Sequence, residues 1–146
     1  MNIRQARPDE LGILLDIWLR AVRATHTFLT EGDVQFYLPL VRDLALPALE
    51  LWVLVMEDDV PVGFMGLAGS KLEALFLAPE IHRQGGGRRL VEHARRLKGS
   101  LTVDVNEQNA GAVRFYEACG FVREGRSDVD STGRPFPLLH LRLEAR

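Results

Sequence analysis

Residues 71–97, K-L-E-A-L-F-L-A-P-E-I-H-R-Q-G-G-G-R-R-L-V-E-H-A-R-R-L, constrain the fold more than any other part of the chain. Positions 72–77 have the apolar character of a buried strand, Pro79 ends it, and Gly85, Gly86 and Gly87 close the loop that follows. Beyond them Leu90, Val91, Ala94 and Leu97 recur at helical spacing. The order is strand, glycine turn, helix. Amides in the first turn of a helix lack intrahelical acceptors and lie at the positive end of its dipole, so they attract an anion. Glycines remove the Cβ atoms that would hold a phosphate or pyrophosphate away, and Arg83, Arg88 and Arg89 add positive charge at the same place. The alternative is that the glycines only turn the chain and the arginines only wet a surface.

The rest of the chain supplies the partners for this unit. Residues 2–6 suit a short strand, and Pro8 with Asp9 and Glu10 opens a helix in which Leu11, Leu14, Leu15, Trp18 and Val22 share a face to about Ala24. Thr30 with Asp33 three residues later is an N-cap signal for a second helix through Val34, Tyr37 and Val41, which Pro39 makes short or irregular. From Leu51, L-W-V-L-V-M, the turn E-D-D-V-P and V-G-F-M-G-L-A read as an antiparallel hairpin. Leu101, Val103 and Val105 alternate with Thr102 and Asp104 as a fifth strand, which a right-handed crossover sets parallel to the fourth. Asn109 caps a helix holding Ala112, Val113, Phe115 and Tyr116, with Gly120 and Phe121 ending it. Strands at 122–129 and 137–143 follow, joined by the turn D-S-T-G-R. The expected fold is α/β of the α+β type: a mixed, mostly antiparallel sheet of about six to seven strands with about four helices, spanning 1–146 as one domain.

Composition excludes some classes of function. The formal net charge is -2, which gives no global electrostatic case for nucleic acid or an anionic membrane. A single cysteine, Cys119, allows no internal disulfide and no CxxC pair, so no metal site is expected; its place before a helix cap reads as packing. Arg4, Arg7, Asp9 and Glu10 precede any long apolar run, no stretch reaches membrane-spanning length, and a cytoplasmic location is expected.

Two segments carry a family resemblance. H-R-Q-G-G-G, positions 82–87, is similar to the strand-to-helix signature of the GNAT superfamily of acyl-CoA-dependent N-acyltransferases. Gly85 and Gly87 fill its glycine positions, and His82 stands where Gln or Arg is usual. N-E-Q-N-A-G-A-V-R-F-Y-E-A-C-G-F resembles the superfamily's segment after the fifth strand. The two lie in the family's order and separation, and A-T-H-T-F-L and G-R-P-F-P-L-L are similar to a group of its small bacterial acetyltransferases.

The resemblance implies that strands four and five splay apart around acetyl-CoA, a co-substrate whose pantetheine pairs with backbone at Leu75, Phe76 and Leu77. Amides of Gln84, Gly85, Gly86, Gly87, Arg88 and Arg89, beside Arg83, would hold the pyrophosphate. Asn109 would reach the pantetheine or phosphate arm, and Tyr116 would offer its hydroxyl to the thioester sulfur. The acetyl group would pass to a small or protein amine by direct attack in a ternary complex.

An amine with a lysine-like pKa of about 10.4 is protonated at neutral pH, so a base is required. Glu73, two residues before Leu75 and therefore on its face, and His26, between the first two helices, are the candidates. His140 reads as a half-buried structural residue, His93, Arg95 and Arg96 as a solvated helix face, and Trp18 and Trp52 as core. A different class of function is an acyl-CoA-binding sensor with little activity. ATP or NAD binding is disfavoured because there is no Gly-Lys-Ser/Thr, and Leu90 stands where a dinucleotide motif has its third glycine. Residues 26–49 and 127–137 are expected to shape the acceptor pocket, in a monomer or homodimer.

Overall fold

Seven strands form one sheet in the computed structural model, which describes residues 1–146. They are β1 (Asn2–Gln5), β2 (Glu50–Val55), β3 (Pro61–Ala68), β4 (Lys71–Leu77), β5 (Leu101–Asn106), β6 (Val122–Ser127) and β7 (Leu138–Leu143), in the spatial order β1-β2-β3-β4-β5-β7-β6. The longer helices are α1 (Leu11–Thr25), α2 (Glu31–Leu40), α3 (Gly86–Lys98) and α4 (Ala110–Ala118). Every neighbouring pair is antiparallel except β4 and β5, which the α3 crossover makes parallel. No helix is long and apolar enough to cross a membrane.

Side-chain alternation sorts the core into two layers. Leu101, Val103 and Val105 of β5 and Leu139, Leu141 and Leu143 of β7 pack with Leu90, Val91 and Ala94 of α3 and with Tyr116 of α4. On the opposite face α1 and α2 contribute Leu14, Ile17, Trp18, Val22 and Val34, which pack on Val53, Val55 and Phe64 of β2 and β3. Period-2 alternation requires β5 and β7 to turn Thr102, Asp104 and Asn106, and Leu138, His140 and Arg142, toward the α1/α2 side. Since α1 packs on β3 and β4, the β5-β7-β6 part of that face stays partly open.

Local signals account for the element ends. Thr30 Oγ1 accepts from the Asp33 N–H at 3.1 Å and an Asp33 carboxylate oxygen accepts from the Thr30 N–H at 2.9 Å, a reciprocal cap on α2. Pro39 lies inside α2, which gives way to a wide π-type turn at Val41–Ala45. β6 stops at Ser127, two residues earlier than the pattern predicts. Asp130 begins a turn there, its carboxylate accepting from the Thr132 and Arg134 N–H groups at 2.9 and 3.1 Å.

Candidate active site

The parallel pair β4–β5 is joined only at Lys71–Thr102 and Leu72–Val103, and beyond that the strands separate. The backbone edge exposed by the separation follows from the β3–β4 ladder. The Ala78 N–H donates to the Val62 carbonyl at 2.8 Å, so the alternate residues Leu77 and Leu75 turn their N–H and C=O groups away from β3 into the gap. The side chains of Leu75 and Leu77 lie on the α3 face and that of Phe76 on the α1 face.

A bulge sits at the mouth of the gap. Gly66 pairs with Ala74 and Leu67 with Leu72, which leaves Glu73 as an extra residue in β4. The extra residue changes the parity of the strand: Leu72, Leu75 and Leu77 share one face while Ala74 and Phe76 take the other. Glu73 therefore does not share the face of Leu75, as unbroken alternation predicts. Its carboxylate lies 3.4 Å from Lys71 Nζ, whose other partner is Asp104 at 2.8 Å.

The glycine loop has a different division of labour from the one expected. Gly85, with φ +86, is the N-cap of α3, and a Cβ there would meet nothing within 4 Å. A Cβ on Gly86 would lie 2.6 Å from Leu54, and one on Gly87 would lie 3.0 Å from the Phe115 ring. Gly85 alone keeps space free in front of the amides; Gly86 and Gly87 are buried and let α3 approach the sheet and α4. Arg83, also at positive φ, and Gln84, Arg88 and Arg89 are exposed. A recess of about 480 Å³ runs from the cap toward β1, lined by Gly85, Arg88, Arg89 and Arg96 together with Glu92, His93 and the β1 residues Asn2 and Ile3. His82 is tied to the strand, its Nε2 3.2 Å from the Leu77 carbonyl oxygen. A hydrogen bond of that kind requires the Nε2 tautomer as donor, so His82 fastens the loop to the open edge of β4.

Asn109 caps α4, with Oδ1 accepting from the Ala112 N–H at 3.2 Å. Tyr116 is 7% exposed in the α3/α4 layer, set edge-on to Phe115 and Phe121. Burial pushes its phenol above the ordinary value, so the hydroxyl stays protonated and able to donate. Cys119 is half-buried beside a separate recess with Arg95 and Val122, and burial raises its thiol.

His26 ends α1, and its ring packs on Phe28 and Phe76, with centroids 5.5 and 6.4 Å away. Burial pushes its pKa down to about 4. The imidazole is thus neutral at physiological pH but a much weaker base than the expectation of an ordinary histidine assumed. Residues 128–137 lie against α2: Tyr37 donates to Asp130, Arg134 pairs with Asp33 and stacks 4.2 Å over Phe36, and Phe136 packs on Phe28 and Tyr37. The two segments expected to shape a pocket are thereby brought together over the open sheet face.

The strand gap, the amide cap and their order along the chain agree with an independent comparison. Residues 48–123 match the family described as "Acetyltransferase (GNAT) domain". The chain belongs to the GNAT acetyltransferase family. Among GNAT proteins it is 49% identical to the peptidyl-lysine N-acetyltransferase YjaB of Salmonella typhimurium, over 97% of each chain. The solution structure of apo YjaB from Escherichia coli superposes with a TM-score of 0.90 at 48% identity, covering 97% of this chain and 95% of that one. The GNAT fold is shared more widely: PaiA N-acetyltransferase from Thermoplasma acidophilum, solved with coenzyme A, has a TM-score of 0.80 at 17% identity, covering 98% of each chain.

Sequence reasoning missed one group of residues that begins at the edge of the gap in this GNAT fold. Lys71, Asp104, His140 and Ser127 form a continuous hydrogen-bonded cluster on the α1/α2 face. The available signal was a polar residue at the centre of each apolar run, V-D-V and L-H-L. Nothing in the sequence states that two such strands are neighbours.

Proposed function

We propose that this GNAT acetyltransferase transfers the acetyl group of acetyl-CoA to the ε-amine of a lysine, by direct attack in a ternary complex. The observation that carries the reading is the open β4 edge at Leu75 and Leu77 running toward the uncapped amides at Gly85. One end of that path accepts and donates backbone hydrogen bonds, and the other suits a pyrophosphate. The free space at Gly85 and the exposed Arg83, Arg88 and Arg89 fit such a ligand. Asn109 uses its Oδ1 in the cap, and its amide nitrogen remains to donate. Acetyl-CoA supplies an activated acyl group; the protein holds it, donates to the forming oxyanion and receives the acceptor's proton. The Leu77 N–H points into the gap and suits the oxyanion, Tyr116 keeps a proton for the departing sulfur, and Glu73 stands at the gap's mouth on the acceptor side. Direct transfer is favoured because the only thiol, Cys119, is partly buried and raised rather than activated. A lysine acceptor is favoured by the names of the similar YjaB proteins.

Thermal melts test the cofactor. At about 100 times its dissociation constant a ligand specific for the native state adds about 2.7 kcal/mol, so acetyl-CoA and coenzyme A should stabilise the protein while ATP and NAD should not. Thiol release with a capped lysine peptide tests the activity. No turnover above the hydrolysis blank on any amine would return the sensor reading.

The loop contact gives a further expectation. Removing one hydrogen bond costs about 1 kcal/mol, so His82→Ala should weaken acetyl-CoA binding about threefold to tenfold with the rate at saturation unchanged. Titration calorimetry and saturation kinetics check it.

A further inference from the structure

A chain of aromatic rings crosses the strand gap on its α1/α2 side. Phe76 of β4 packs on His26 with ring centroids 6.4 Å apart, His26 on Phe28 at 5.5 Å, Phe28 on Phe136 at 5.9 Å and Phe136 on Tyr37 at 6.4 Å. Phe76 and Phe136 stand on opposite sides of the gap. Phe136 precedes Pro137, whose carbonyl accepts from the Glu107 N–H at 2.9 Å, just past the end of β5. Since β4 and β5 run parallel and Phe76 and Glu107 both lie beyond their last pair, Leu72–Val103, the rings span the open part of the gap. All of them are half-buried, so each keeps part of its surface for whatever enters. His26 stands next to the β4 wall, one ring from the strand that presents the Leu77 N–H.

The hydrogen bonds of His26 leave one of its nitrogens unused. The Thr25 hydroxyl donates its hydrogen to the Ala21 carbonyl at 2.8 Å, so toward His26 Nδ1, 2.9 Å away, it accepts. Nδ1 therefore carries the ring hydrogen and Nε2 bears a lone pair. No protein group donates to Nε2, and the atom is not sealed off. With its pKa pushed down to about 4 by burial, the ring is neutral throughout the physiological range.

Resting on the acetyltransferase reading, we infer that His26 binds the acceptor: its Nε2 accepts a hydrogen bond from the amine nitrogen, while the faces of Phe28, Phe76 and Phe136 hold the methylene stem. Aromatic faces favour a cationic head and cover an apolar stem, the two parts of a lysine side chain. A primary amine carries N–H bonds whether charged or neutral. The contact therefore survives deprotonation and holds the nitrogen in place as its lone pair is freed. His26 takes no proton itself, because a nitrogen that stays neutral well below neutral pH holds a proton far less tightly than an amine of pKa about 10.4. Glu73, at the mouth of the gap, remains for that step. Thr25 is a positioning residue, since its hydroxyl decides which ring nitrogen is bare.

Initial rates with a capped lysine peptide at saturating acetyl-CoA test the assignment, for the wild type, His26→Phe, His26→Leu and His26→Gln. His26→Phe loses a hydrogen bond to a charged group and should raise the peptide KM about tenfold to 100-fold. Its kcat should stay within about threefold, because an interaction made equally before and during the reaction acts on KM. His26→Leu should do the same, and it carries the comparison if phenylalanine overfills the site. His26→Gln keeps an acceptor oxygen within reach of the Nε2 position and should bring KM back to within about threefold of the wild type, a rescue that a packing role does not predict. Acetyl-CoA should raise Tm equally in all four proteins, and the pH profile of kcat should keep its shape. Long-range proton–nitrogen spectra of the ligand-free wild type should show a neutral His26 ring protonated at Nδ1, and n-butylamine added to the coenzyme A complex should move the Nε2 resonance. Thr25→Val should mix the two tautomers and raise KM by a smaller factor. An active wild type whose His26→Phe and His26→Leu variants keep KM within about twofold would overturn this inference alone. A His26→Gln variant that loses kcat together with the acidic limb of its pH profile would also overturn it, by making His26 the base. An inert wild type would overturn the acetyltransferase reading and this inference with it.

Discussion

Tyr116→Phe is expected to lower kcat by about 10²- to 10³-fold, the usual contribution of a positioned general acid, while acetyl-CoA affinity stays within about twofold. The reason lies in what the side chain does in the fold. Its ring fills the α3/α4 layer between Phe115 and Phe121, and phenylalanine keeps that packing. Its hydroxyl makes no hydrogen bond to the protein and keeps access to solvent while the ring is buried, so deleting it strands no partner. With the ring packing kept and no partner lost, the variant should be about as stable as the wild type. A hydroxyl that no protein group binds is free for the reaction, where the raised pKa leaves a proton available beside the departing sulfur. Steady-state kinetics at saturating acetyl-CoA, with a melt on the same samples, separates the roles. A large loss of affinity at normal kcat would contradict the acid role, and a large loss of stability would return Tyr116 to packing alone.

The elements were legible wherever local chemistry decides them. The Thr30–Asp33 cap, the Asn109 cap and the Gly85 turn all stand where short-range signals put them, because each is satisfied within four residues. The splayed β4–β5 pair came from the family resemblance, not from periodicity. The bulge at Glu73 was not legible, since L-E-A-L-F-L reads equally well as an unbroken strand and only pairing with β3 shows which residue is extra. For the same reason the packing role of Gly86 was not legible: whether a missing Cβ makes room for an anion or for Leu54 depends on what lies opposite, 32 positions earlier in the chain. His26 shows the limit in electrostatics. Its residue type suggests a base, while the Phe28 and Phe76 rings that desolvate it come from different segments. The Asp104–His140 pair, 36 positions apart, required the order β5-β7-β6 before either residue had a partner.

The close approach of α3 to β2 at Gly86 predicts a double-mutant cycle with a large coupling. Leu54 is fully buried, and truncating such a leucine costs about 2–5 kcal/mol. Gly86→Ala places a methyl group 2.6 Å from a Leu54 methyl carbon and 3.7 Å from one of Leu77. Overpacking of this kind costs about 1–3 kcal/mol, offset in part by the helical preference of alanine over glycine, about 1 kcal/mol. On a Leu54→Ala background the clash is absent and the new methyl fills part of the cavity, so Gly86→Ala should become neutral or stabilising. Urea unfolding of the four proteins should give a coupling of about 1–3 kcal/mol in that sense, within the range for residues in direct contact. Additivity within about 0.5 kcal/mol would mean that α3 yields as a body instead of pressing on Leu54. The acetyl-CoA dissociation constants of the same proteins then tell the two apart functionally. A helix that yields carries its first-turn amides away from the pyrophosphate seat, and Gly86→Ala would weaken binding on both backgrounds. A helix that stays in place confines the damage to stability, and affinity follows the wild type once the protein is folded.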